Sequence, residues 1–286
     1  MVIFEKIDEM QKHLQAIKQK GLTVGFVPTM GALHKGHISL VKRSLKETGA
    51  TVVSIFVNPT QFNNPDDLKK YPRTPEKDLE MLRAAGADIV FMPSVDEMYP
   101  PDKIAHSNPP LPWRGVRGEA VMEGLHRPGH FKGVVEIVSK FFEIIKPDKA
   151  YFGEKDFQQL FIIRELVKEK NYTVKIIGCT TLRESNGVAM SSRNMRLTDE
   201  ERKEAGKIFY ALSFIRDNRS SMTVEEAKQK AKSIIESNGT MKIEYLEIAD
   251  EATLQPVAEW NSAPKLRCFI AAHLGTVRLM DNMLID

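Results

Sequence analysis

The stretch that most constrains this chain runs from Val24 to His37, where an apolar run breaks at Pro28 and resumes as a helical pattern from His34 onward. It reads as a strand, a turn carrying Gly31 and Gly36, and the start of a helix. A helix N-terminus presents unpaired backbone N–H groups and the positive end of the helix dipole, so such a turn attracts an anion, phosphate first. The glycines let backbone approach a ligand closely. His34 and His37 share one helix face and point at the same charge. Two other descriptions fit the same residues: an ordinary strand-to-helix turn, or half of a zinc site. Zinc is disfavoured because the only two cysteines, Cys179 and Cys268, have no Cys or His cluster around them. Taken alone, the stretch leaves the anion site and the plain turn equally open.

The rest of the chain repeats the strand–turn–helix order. Ile7, Met10, Leu14 and Ile17 predict a helix within 4–20, ended by Gly21. Strands are predicted at 23–27, 51–57, 88–92, 148–152 and 173–179, with helices between them at 38–49, 76–85, 134–145 and 160–170. Such alternation implies a parallel sheet. Gln61, in NPTQF, then leaves the C-terminal end of the second strand, where open α/β sheets bind ligands. Lys155, Asp156, Gln158 and Gln159 stand at another such edge, four polar side chains that read as neither core nor plain surface. The proline-rich stretch 99–113 is a surface loop, as readily a family insertion as a functional element. Ser191, Ser192 and Arg193 offer donors for phosphate oxygens on a loop able to close over a nucleotide. For that loop taken alone a helix N-cap is the favoured reading, although Thr198 with Asp199 and Glu200 already makes a good cap. From Asp199 onward two amphipathic helices, 201–216 and 224–237, precede three strand-like segments, an α+β pattern.

The fold expected is therefore α/β, a Rossmann-like parallel-sheet domain over 1–186 with a smaller α+β domain over 187–286. Lys and Arg total 41 against 38 Asp and Glu, a net +3 too mild for a nucleic-acid or membrane surface. A small anionic substrate suits it better. No apolar run approaches a membrane span, the first residues lack a signal-peptide profile, and the cysteines form no disulfide framework, so the cytoplasm is the expected location.

Seven motifs stand in one order: PTMGALHKGH, FVNPTQF, YPRTPEKD, RPGHFKGV, FGEKDFQQ, GVAMSSRN and RLMDN. Together, over nearly the whole chain, they closely resemble the pantoate–β-alanine ligase family, within the nucleotidyltransferase superfamily. His34 to His37 resembles the HxGH signature of that superfamily, and Met190 to Arg193 its KMSKS-type signature. The resemblance implies that pantoate attacks the α-phosphorus of MgATP and that β-alanine then takes the pantoyl group from the adenylate. It implies ATP contacts at Met30, Gly31, Ala32, Leu33, His34, Lys35, Gly36 and His37, then at Gly153, Glu154, Lys155 and Asp156. Leu182, Met190, Ser191, Ser192 and Arg193 complete them. His37, His34, Lys155 and Arg193 are the expected catalytic groups. Gln61 and Gln159, with Asn58, are expected to hold pantoate, and Val134 and Ile137 to pack its methyl groups. Asp78 is expected near Mg2+. A homodimer is implied as well. The turn that often reads Asp-Gly in the family is Asn186-Gly187 here, and LPWRGVRGE is more basic than the pattern. Two competing readings are an adenylyltransferase with a phosphorylated acceptor and a nucleotide-binding regulator. The paired amides count against the first, and the intact His34, His37, Lys155 and Arg193 against the second.

Overall fold

The computed structural model describes residues 1–100 and 118–285. In chain order the elements are β1 (Val2–Phe4), α1 (Ile7–Gln19), β2 (Val24–Thr29), α2 (Lys35–Glu47), β3 (Ala50–Ile55), α3 (Pro65–Lys70), α4 (Pro75–Ala85), β4 (Ile89–Phe91), α5 (Val95–Met98), α6 (Met122–His126), α7 (His130–Ile145), β5 (Lys149–Gly153), α8 (Phe157–Glu169), β6 (Lys175–Cys179), α9 (Asp199–Asn218), α10 (Val224–Ile235), β7 (Met241–Asp250), β8 (Leu266–Leu274) and β9 (Val277–Ile285). The described chain forms two compact units. The first holds 1–100, Arg127–Glu154 and Gln159–Thr180; the second holds 118–126, Lys155–Gln158 and 181–285.

In the first unit, six parallel strands run in the order β1-β4-β3-β2-β5-β6. Strands β2 and β3 carry apolar residues on both faces, as a sheet covered on both sides requires. Val27, Val53 and Val90 pack with Leu40 and Val41 of α2 and Leu82 of α4. Phe26 and Phe91 turn the other way, onto Phe141 of α7. Gly25 admits α2 closely, since a Cβ there would lie 2.2 Å from the Ser44 hydroxyl. The chain leaves β2 toward β3 and β4 on one side and returns through β5 and β6 on the other. The switch point therefore falls between β2 and β5, and a ligand crevice is expected at their C-terminal ends.

The expected strands are present, with one addition. Residues 2–4, the last of them inside the stretch predicted to be helical, form β1 and pair in parallel with β4. Three residues are too few to display alternation, and β1 exists through its pairing with a distant strand. Most of the proline-rich loop 99–113 and of LPWRGVRGE lies outside the described residues.

In the second unit, β7, β8 and β9 form an antiparallel sheet in that order. Cys268, Ile270 and Ala272 of β8 share a core with Ile208, Leu212 and Ile215 of α9 and Ala227, Ala231 and Ile235 of α10. Thr198 caps α9, as expected, and the box is closed by Glu201. Among the described residues no helix is long and apolar enough to cross a membrane.

Candidate active site

The turn after β2 differs from the expectation in how it uses its backbone. Gly31 and Ala32 both take left-handed conformations, φ 76° and 49°. The Gly31 N–H donates to Thr29 Oγ1 at 3.2 Å, and the Ala32 and Leu33 N–H groups donate to the two oxygens of Asp78 at 2.8 and 2.7 Å. His34 is the N-cap of α2: its Nδ1 accepts from the Gly36 N–H at 3.1 Å, while His37 Nδ1 accepts from the His34 N–H at 3.4 Å. The HxGH spacing is thus a capping box made of histidines. The N–H groups of Gly31, Ala32, Leu33, His34 and Gly36 are thus spent on the protein itself. Both imidazoles accept on Nδ1, so the neutral rings carry their protons on Nε2. The rings sit 4.1 Å apart, centroid to centroid, and each carries its N–H on Nε2.

Asp78 is bound into the same geometry. It is 1% exposed, and besides the two backbone N–H groups it accepts the Thr74 hydroxyl at 3.0 Å. A carboxylate so engaged shapes the turn, whatever else it meets. Among the described residues no group of three or more His, Cys, Asp or Glu could hold a metal ion.

Gln61 ends a short 3-10 turn, Pro59–Gln61, after β3, and α7 packs its first turn against it. Gly133 makes this approach possible: a Cβ there would come within 2.4 Å of the Thr60 carbonyl. His130 Nδ1 donates to the Gln61 carbonyl at 2.7 Å, and Arg127 meets His130 Nε2 at 3.1 Å. Asn58 Nδ2 donates to the Gly133 carbonyl at 3.1 Å and to Gln61 Oε1 at 3.3 Å. Burial pushes the Tyr99 phenol up to about 12, so at neutral pH it stays a donor, to Asn58 Oδ1 at 2.9 Å. Gln61 Nε2 in turn donates to the Met30 thioether. The structure thus brings Met30, Asn58 and Gln61 together. Val134 and Ile137, both buried, continue the α7 face that carries His130 and Gly133.

At the end of β5, a Cβ on Gly153 would meet nothing within 4 Å, which leaves room for close approach along the backbone. The next residues divide by role. Gln159 is half-buried, and its amide bonds to none of the described residues. Gln158, expected at the sheet edge with it, is core: 3% exposed, it donates to the Gly118 and Val121 carbonyls and accepts from the Glu123 N–H. Glu123 is itself buried against Arg278 and the Tyr245 hydroxyl.

In the second unit, Lys155 lies 3.3 Å from Asp156. Leu182 and Met190 face each other across a hairpin, with the Met190 N–H on the Leu182 carbonyl at 2.9 Å. Gly187 at its tip has φ 87°, and Asn186 Nδ2 donates to the Arg202 carbonyl at 2.8 Å, a bond the family's Asp could not make. Ser191 caps the 3-10 turn Ser192–Arg196, its hydroxyl accepting the Arg193 N–H at 3.3 Å. The capping role favoured from sequence is therefore real, though it opens a shorter turn than the helix expected.

His130, Gly133, Arg127 and Tyr99 had no role in the sequence reading. HRPGHFKG held the signal for the first three: a glycine at one turn's spacing from a histidine beside an apolar helix.

A sequence profile described as Pantoate-beta-alanine ligase matches residues 2–284. The pantothenate synthetase of Bacteroides thetaiotaomicron is 49% identical over 284 residues, covering 99% of this chain and 98% of that one. Among solved structures, pantothenate synthetase from Thermus thermophilus superposes with a TM-score of 0.88 at 36% identity, over 99% of both chains. Pantoate-beta-alanine ligase from Francisella tularensis, complexed with beta-gamma ATP and beta-alanine, gives 0.80 at 38% identity, over 99% of this chain and 97% of that one. With a profile match across the chain and full-length relatives near half identity, this protein belongs to the pantoate–β-alanine ligase family.

Proposed function

We propose that this chain joins (R)-pantoate to β-alanine at the expense of ATP, through a pantoyl adenylate, in pantothenate biosynthesis. A pantoate carboxylate oxygen attacks the α-phosphorus, and the bond to the β-phosphate bridging oxygen breaks to release pyrophosphate. The β-alanine amine then attacks the acyl carbon; a C–N bond forms, the acyl–oxygen bond breaks, and AMP leaves. The observation that carries this reading is the histidine capping box, which fixes two Nε2–H donors side by side. Such donors stabilise the charge that builds on phosphate oxygens during attack, and their orientation is set before substrate arrives.

The remaining roles follow the chemistry of the residues. Met30 to His37 and Gly153 to Asp156 line the nucleotide, with Lys155 on a phosphate or the carboxylate and Asp156 on the ribose hydroxyls. Arg193, beside Ser191 and Ser192, adds charge at the phosphates, and the Leu182 backbone meets adenine. Gln61 and Gln159, with Asn58, bond the hydroxyls and carboxylate of pantoate, while Val134 and Ile137 pack its methyl groups. Mg2+ enters as the ion that the ATP phosphates carry, in keeping with its habit of binding through substrate phosphates and water. We further assign residues 187–286 a lid role and the protein a homodimeric state and a cytoplasmic location. Two buried free cysteines accord with a reducing compartment.

The test is pyrophosphate release from MgATP with pantoate, with and without β-alanine, following AMP and pantothenate in parallel. Pantoate-dependent release, with sustained AMP and pantothenate only when β-alanine is added, is expected. ATP binding without pantoate-dependent release would refute the reading.

A further inference from the structure

The motif RLMDN on β9 has no role in the reaction as described above, yet two of its residues hold segments assigned to ATP. Strand neighbours point to opposite faces of a sheet. Asp281 turns to the helix side. There it takes a bidentate pair of hydrogen bonds from Arg183, at 2.5 and 3.1 Å, and the guanidinium also lies 4.6 Å from the centre of the Phe209 ring of α9. Arg183 follows Leu182 and donates to the Gly187 carbonyl at 3.0 Å, so Asp281 anchors the hairpin.

Asn282 turns to the other side. Its Nδ2 donates to the Lys155 carbonyl at 2.7 Å, and its Oδ1 accepts from Arg267 Nη1 at 2.6 Å. The Arg267 guanidinium stacks over the Phe157 ring at 3.9 Å and is held from behind by Glu251 at 2.8 Å. Lys155 and Phe157, on either side of Asp156, are thus gripped by one connected pair of β8 and β9 side chains. Both Arg267 and Asn282 are buried.

A lysine side chain has four rotatable bonds, so the position of its ammonium depends on how firmly its root is held. We propose that Asn282 is a positioning residue for the adenylation step, acting through the Lys155 carbonyl to set where the Lys155 ammonium meets the reacting groups. Arg267 keeps the Asn282 amide in the donating orientation. The inference rests on the assignment of Lys155 given under the proposed function.

Asn282→Asp tests it with the least disturbance. The variant keeps the shape and the Arg267 contact but replaces the donor to the Lys155 carbonyl with an acceptor. In steady-state pyrophosphate release, kcat is expected to fall about tenfold or more with the ATP KM within about threefold, as for a misplaced catalytic group. Asn282→Ala is expected to behave alike. Combined with Lys155→Ala, Asn282→Asp is expected to add little further loss, because both changes act on one group. Wild-type turnover in Asn282→Asp, or an equal fold-loss with and without Lys155, would overturn the proposal. Failure of both Asn282 variants to unfold cooperatively near the wild-type temperature would assign the residue to the sheet and also overturn it. Wild-type turnover in Lys155→Ala would instead sink the assignment of Lys155, whereas a slow Lys155→Ala beside a normal Asn282→Asp sinks the positioning alone.

Discussion

An imidazole that accepts a backbone N–H on Nδ1 has only Nε2 left for its proton, and this one fact sets what His34 and His37 can do. His37→Ala is expected to lower kcat by about 10²- to 10³-fold, with a much smaller loss of ATP affinity, because its donor matters most as charge develops. Single-turnover pyrophosphate release beside equilibrium ATP binding separates the two effects; equal losses in both would refute the assignment. Asp78 makes a different claim. Asp78→Asn puts an amide N–H against one of the two backbone donors it now accepts, at a cost of about 1–3 kcal/mol in unfolding free energy. The dependence of turnover on Mg2+ concentration is expected to stay where it was; a large rise in the Mg2+ requirement would return Asp78 to the metal. The histidines were legible because residue type and spacing carry their chemistry. The hold of Asp78 on the turn was not, because its backbone partners lie 45 and 46 residues away.

The element that holds Gln61 in place is the first turn of α7. Its backbone meets the Pro59–Gln61 turn with no side chain between, and its His130 holds the Gln61 carbonyl. Gly133→Ala drives a methyl into the Thr60 carbonyl, so helix and turn have to part. The expected result is a pantoate KM raised about tenfold with the ATP KM little changed, and a stability loss of about 1–3 kcal/mol. A variant with both KM values unmoved would show that the contact does not position Gln61. Apolar periodicity revealed α7 as a buried helix, and Gln61 at a strand end was found from topology alone. What joins them is contact between segments 69 residues apart, which no local pattern encodes. The same limit hid β1, whose three residues owe their strand form to β4.

Taken whole, the molecule divides its acid sensitivity unevenly. In the second unit Arg278 bridges Glu123 and Glu244, with His273 and His126 beside Glu244. Burial is the largest influence on the Glu244 carboxyl and raises it, but Arg278 and the two histidines together bring it below its ordinary 4.5. Because the folded value lies below the unfolded one, Glu244 stabilises the fold above that pH, and the contribution is lost as pH falls through the folded value. Glu244→Gln is therefore expected to lower the melting temperature at about pH 7 and to narrow the gap to wild type at about pH 3.5. A gap that widens in acid would reverse the sign assigned here. Asp78 carries a last consequence, in the order of assembly. A nascent chain holds both histidines well before Asp78 is made, and until α4 docks, the Ala32 and Leu33 N–H groups have no carboxylate to close upon. A peptide excised over 24–49 would keep the HxGH letters and still lack the turn that aims them. The turn that aims the histidines is thus closed by a contact 46 residues away in sequence, and it waits on the docking of a separate element.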